Sequence, residues 1–155
     1  MRNKPLLSFV DTEELRTSYI EQPPSVKVNG WIVIMICEDI DDPYGGAFKI
    51  TKGIKSNLPK QIFSTPISEA SIIGMSGGLA IEGFKPIVEI MFGDFLTLGF
   101  DQILNNLSKF HYMYNKGVNL PLVIRTPMGA GRGYGPTHSQ SIEKHFFGII
   151  GLNIF

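Results

Sequence analysis

Two carboxylates, an aromatic ring and an imidazole carry the chemistry this sequence offers: Glu38, Glu69, Phe95 and His138. Together they would serve acid–base work on a flat aromatic ligand. Glu69 lies in Ser64-Thr-Pro-Ile-Ser-Glu-Ala. Pro66 suits a first helical position with Thr65 as N-cap, which sets Glu69 at the first turn. One reading makes Glu69 a carboxylate favoured by the helix dipole. The other makes it a buried acid of raised pKa, able to share a proton with a ligand nitrogen. His138 lies in Thr137-His-Ser-Gln, where Thr137 and Gln140 fit a capping box and His138 opens a helix. The positive helix end then favours neutral imidazole, a proton acceptor near neutral pH; the alternative is a surface histidine beside a cap. His111 and His145 have no chemical context and read as structural.

Three further features have no acid–base role of their own. Residues 129–135 carry glycine at every second position without the dinucleotide fingerprint or a phosphate-binding lysine. They read as a mobile lid, or as backbone free to approach a ligand or second chain. Ala70, Gly74 and Gly78 recur every four residues, a small-residue stripe against which another element, here expected to be a partner chain, can pack closely. Spacings of four also pair Asp101 with Asn105 and Gln102 with Asn106, either as a solvated face or as a hydrogen-bond network.

Short apolar runs alternate with helical patterns, and those elements must position these residues. Strands are expected over 31–37, 62–64, 86–92, 120–126 and 152–155. Helices are expected over 11–21, around 52–58, over 66–82 with Gly83 as stop, over 95–114 and over 137–147. Residues 41–46 are turn material and 128–136 a loop. The pattern predicts an α/β fold, a three-layer sandwich with a mainly parallel sheet. In such sheets the working residues gather at the carboxyl ends of strands, where all four candidates fall.

Composition narrows the classes. Lys plus Arg and Asp plus Glu are both 14 in 155 residues, so the net charge is zero, which argues against a generally basic nucleic-acid binder and a disordered acidic tail. Apolar residues are 43% and charged residues 18%, a thin charged surface that favours association with a partner. Cys37, the single cysteine, excludes an internal disulfide and reads as a small buried hydrophobe in a reducing compartment. The apolar run at 31–37 is far short of the ~20 residues a bilayer needs, and residues 1–10 lack a signal-peptide core. A soluble cytoplasmic chain, engaging neither membrane nor nucleic acid, is the expectation.

Glu38-Asp-Ile, Tyr44-Gly-Gly-Ala-Phe-Lys-Ile-Thr-Lys-Gly, Ser64-Thr-Pro-Ile-Ser-Glu-Ala, Gly83-Phe-Lys-Pro-Ile-Val-Glu-Ile-Met-Phe-Gly-Asp-Phe, Asp101-Gln-Ile, Pro121-Leu-Val-Ile-Arg and Thr137-His-Ser-Gln-Ser follow one another in order. Together they resemble the beta subunit of thiamine-diphosphate-dependent 2-oxoacid dehydrogenases, and more narrowly its transketolase-like pyrimidine-binding domain, over roughly residues 36–155. The resemblance implies that Glu69 hydrogen-bonds the aminopyrimidine ring nitrogen of thiamine diphosphate. That bond promotes the imino form, which deprotonates the thiazolium carbon for attack on a 2-oxoacid. It implies that Phe95 stacks on the pyrimidine, that His138 assists proton movement and acyl transfer to lipoamide, and that Glu38 joins the same proton network. Pyruvate, branched-chain oxoacids and acetoin are not distinguished.

The departures set further expectations. Gln22-Pro-Pro-Ser-Val-Lys-Val-Asn-Gly30 replaces the family's usual helix and connection, and Cys37 replaces a glycine. Residues 1–30 therefore read as an atypical segment and 31–155 as the pyrimidine-binding domain, cut short at its carboxyl end. No Gly-Asp-Gly type motif followed by asparagine is present, so the resemblance implies that magnesium and the diphosphate belong to an alpha-type subunit, with no metal site in this chain. The expected partners are that alpha subunit, a second beta chain and the lipoyl acyltransferase component, and the chain is expected to be inactive alone. A transketolase or deoxyxylulose-phosphate synthase fragment, and a degenerate non-catalytic remnant, are the competing readings.

Overall fold

The computed structural model describes residues 7–9, 27–28 and 31–155. Strands β1 (Leu7–Phe9), β3 (Trp31–Glu38), β4 (Ile62–Thr65), β5 (Lys85–Glu89), β6 (Leu122–Arg125) and β7 (Leu152–Ile154) lie parallel in the order β4-β3-β5-β6-β1-β7, and β2 (Lys27–Val28) pairs antiparallel with β3. Helices α1 (Ile54–Asn57), α2 (Glu69–Ile81) and α3 (Ser108–Met113) connect them. The expected helix over 11–21 lies outside the described residues.

β3 is apolar along its whole length because neighbours cover both of its faces. Ile34 and Ile36 share one face with Val88, Ile90, Leu122 and Ile124, and that face buries Ile72, Ile73 and Ala80 of α2 with Leu96, Ile103 and Leu107. Val33, Met35, Cys37 and Ile87 point the other way, onto Ile40, Ile54, Leu58 and Ile62. The sheet is thus the middle of three layers. Burial of each large aliphatic side chain contributes about 1.5–3 kcal/mol.

The expected helix over 95–114 is a longer composite. A 3₁₀ stretch (Gly93–Gly99) passes through a π-helical stretch (Gln102–Leu107) into α3. The polar band on it is hydrogen-bonded: Asn105 Nδ2 donates to Asp101 Oδ1 at 2.7 Å and Asn106 Nδ2 to Gln102 Oε1 at 3.0 Å. The glycines of α2 answer the same run. A Cβ on Gly77 would stand 2.5 Å from Leu107 Cδ2 and one on Gly74 3.0 Å from Gln102 Oε1, whereas one on Gly78 would meet nothing within 4 Å. Close packing within this chain therefore accounts for Gly77 and Gly74.

Two helix boundaries differ from expectation. Thr65 is the last residue of β4, in register with Glu38, so it cannot cap α2; Ser68 is the N-cap and the helix starts at Glu69. Residues 137–147 form no helix beyond a 3₁₀ turn (Glu143–His145). The backbone N–H of Gln140, which the expected capping box would give to the Thr137 hydroxyl, donates instead to Asp94 Oδ1 at 3.4 Å.

Candidate functional site

β3, β4, β5 and β6 all end at the same edge of the sheet, and the side chains in question gather there. Glu38 closes β3 and is 2% exposed. Its Oε1 accepts the Met91 N–H at 3.3 Å, and its Oε2 is buried without a hydrogen-bond partner among the described residues. Burial raises the Glu38 pKa; the backbone N–H groups of Glu38 and Met91 oppose the rise, and the negative charge of Glu69 adds to it. Glu69, the first residue of α2, is 5% exposed. It stands in the first turn of that helix.

Phe95 rides on the 3₁₀ stretch that packs against α2. Gly99 of that stretch lies close enough that a Cβ there would reach the Glu69 carbonyl at 3.5 Å. His138 meets Phe95 edge to face at 5.1 Å between centroids and Phe92 at 4.8 Å. Thr137 Oγ1 engages His138 Nδ1 at 2.9 Å, which leaves Nε2 for chemistry. His138 reaches this place from an irregular segment and not from the start of a helix, so the expected influence of a helix dipole on it is absent. His111 Nδ1 bonds the Val118 carbonyl at 2.9 Å.

The four residues singled out from sequence thus fall into two linked pairs. Glu38 and Glu69 interact through charge, Phe95 and His138 through ring contact. Met91, bonded to Glu38, precedes Phe92, which touches His138.

Sequence reasoning missed several neighbours. Phe48, Phe92 and Tyr134 form an edge-to-face group, with centroids of 6.1 Å for Phe48–Phe92, 5.8 Å for Phe48–Tyr134 and 5.2 Å for Phe92–Tyr134. Arg132 sits 4.6 Å over the Phe48 ring. The glycine-rich loop is thereby fastened to the aromatic group, with Gly129, Gly131, Gly133 and Gly135 all at positive φ. A buried ion pair, Glu89 with Arg125, lies at the ends of β5 and β6. Burial raises the Glu89 pKa, Arg125 opposes that, and the Glu38 charge adds to it. The available signal was a lone charge inside each apolar run, Glu89 in 86–92 and Arg125 in 120–126. Among the described residues no group of three or more His, Cys, Asp or Glu side chains could hold a metal ion, and no helix is long and apolar enough to cross a membrane.

A buried carboxyl pair beside an aromatic wall and an imidazole can hold a flat nitrogen heterocycle and move a proton at its edge. Residues 29–155 match the family described as "Transketolase, pyrimidine binding domain". The chain is 40% identical over 150 residues to "Pyruvate dehydrogenase E1 component subunit beta" of Chaetosphaeridium globosum, covering 96% of this chain and 44% of that protein. It is 46% identical over 123 residues to the protein of the same name from Porphyra purpurea, covering 79% and 37%. It is 40% identical over 146 residues to "Pyruvate dehydrogenase E1 component subunit beta-3, chloroplastic" of Oryza sativa subsp. japonica, covering 92% and 35%. The chain spans less than half the length of these relatives.

Proposed function

Because this chain belongs to the family of transketolase pyrimidine-binding domains, we propose that it is the pyrimidine-binding part of a pyruvate-dehydrogenase-type E1 beta chain. In this reading it binds the aminopyrimidine of thiamine diphosphate for oxidative decarboxylation of a 2-oxoacid and acyl transfer to lipoamide. An alpha-type chain supplies the diphosphate and magnesium site, a second beta chain and the lipoyl acyltransferase complete the assembly, and this chain alone is inactive. The single buried thiol, Cys37, is compatible with a reducing, cytoplasmic setting.

The observation that carries the reading is the burial of Glu69 at the first turn of α2, close enough to Glu38 for their charges to interact. The residues fit an aminopyrimidine. Glu38 Oε2 is a buried acceptor without a partner among the described residues, and the rings of Phe92 and Phe95, edge to face at 6.2 Å, offer apolar surface at the same end of the sheet. When bound, thiamine diphosphate supplies the carbon nucleophile and the electron sink for decarboxylation. Glu69 would hold the hydrogen bond to a ring nitrogen, and its burial would strengthen that bond. Glu38 holds or releases a proton beside it, Phe95 bounds the ring plane, and His138 moves a proton through Nε2.

Glu69→Gln tests this directly. In a complex reconstituted with an alpha-type chain, decarboxylation of pyruvate should fall by about 10²-fold or more, with assembly by gel filtration unchanged. Full activity in that variant would remove the role assigned to Glu69. Isothermal titration of thiamine diphosphate and magnesium into the chain alone should give no tight binding, and tight binding would contradict the shared site.

A further inference from the structure

Asp94 adjoins Phe95 and is buried at 7% exposure. Its Oδ1 accepts two hydrogen bonds from one residue, Gln140: the backbone N–H at 3.4 Å and the side-chain Nε2 at 2.7 Å. The carbonyl of Gln140 in turn accepts the N–H of Gly129 at 3.3 Å, and Gly93 donates its N–H to the Pro127 carbonyl at 2.9 Å. Gln140 is thus the point where the start of the glycine-rich loop, the Phe95 stretch and the His138 segment are tied together. Residues 137–141 have no helix to hold them, and His138 is two residues from this tie. The Asp94 carboxylate thus anchors this segment from one side, while the His138 N–H donates to the Gly135 carbonyl at 3.4 Å on the other.

We infer that Asp94 and Gln140 are positioning residues for His138: they clamp the non-helical segment that carries it to the turn that carries Phe95. A charge-assisted hydrogen bond to a buried carboxylate is stronger than a neutral one, and a side chain held this way keeps one rotamer and one distance from the ring edge. A shift of about 1 Å in such a group is enough to slow a reaction by about 10²-fold. The catalytic weight of the clamp rests on the function proposed above; the geometry of the clamp does not.

The test reads His138 itself. Its ring protons lie against two aromatic rings, so in the full chain they carry ring-current shifts visible by ¹H–¹³C NMR. Gln140→Ala, and Gln140→Glu, which sets two carboxylates face to face, should each move them to random-coil positions while the methyl resonances of Leu96 and Ile124 stay dispersed. The exchanged pair, Asp94→Asn with Gln140→Glu, lets an amide donate to a carboxylate in the reverse sense and should restore the shifts. Unmoved His138 protons in both single variants would overturn the inference. So would a loss that the exchanged pair fails to restore, or one accompanied by collapse of the core methyl dispersion. No cofactor takes part in this measurement. A negative result here leaves the Glu69 test standing, and a fully active Glu69→Gln leaves this one standing.

Discussion

Glu89 and Arg125 face each other across neighbouring strands, in register, with 2.5 Å between Oε2 and the guanidinium and each side chain only 5% exposed. Gly46 lies over the pair, so close that a Cβ there would stand 2.8 Å from Glu89 Oε1. Two charges sealed this way depend on each other. Arg125→Met leaves a buried carboxylate alone and should cost about 3–5 kcal/mol in urea denaturation. Adding Glu89→Leu to that variant should recover most of the loss, because an apolar pair needs no desolvation. A double variant as unstable as Arg125→Met would mean that the pair does something beyond mutual neutralisation.

Glu38 gives a pH dependence of definite sign. Burial holds its pKa above the ordinary carboxylate value, so the folded chain keeps a proton that the unfolded chain releases. Stability from this group is full below the unfolded pKa of about 4.3 and declines as pH rises toward the folded value. Glu38→Gln retains an oxygen for the Met91 N–H and removes the titration. Melting temperatures of the two proteins should converge near about pH 4 and separate in favour of the variant toward about pH 8. Parallel curves over that range would show that Glu38 titrates normally.

Cys37 should be chemically silent in the folded chain. It is fully buried, its Sγ donates to the Glu38 carbonyl at 2.8 Å, and burial together with the negative charges of Glu89 and Glu38 pushes its pKa far upward. Thiolate is the reactive form. A thiol reagent such as iodoacetamide should label it only as fast as the chain opens, with a rate that rises through the urea transition. Rapid labelling of the folded chain would place the thiol at the surface.

The parallel sheet was legible in the sequence because β3, β5 and β6 are apolar, β-branched runs bounded by glycine or proline, and such runs have few other ways to be buried. That Glu38, Glu69, Phe95 and His138 would gather at one edge of the sheet was legible because each lies at, or in the connection after, the carboxyl end of a parallel strand. Two things were not. Local capping patterns misled at Thr65 and Thr137, where long-range bonds decide: pairing with β3 in the first case, Asp94 reaching Gln140 in the second. Partnership between distant charges also escaped, since Glu89 and Arg125 meet only once β5 and β6 are side by side and their register is fixed.

Two adjacent glycines of α2 should respond in opposite directions. A methyl at Gly77 enters the space of Leu107 Cδ2, a fully buried side chain with little freedom to move, so Gly77→Ala should destabilise the chain by about 1–3 kcal/mol. A methyl at Gly78 meets nothing, and glycine inside a helix is less favourable than alanine, so Gly78→Ala should stabilise the chain alone by about 1 kcal/mol. Urea denaturation measures both. The open side of Gly78 also reports on assembly. If a partner helix rests on the Ala70, Gly74 and Gly78 stripe, Gly78→Ala stabilises the free chain yet weakens its complex in gel filtration. If the variant raises stability and leaves assembly untouched, the stripe answers only to packing within this chain, at Gly74 and Gly77.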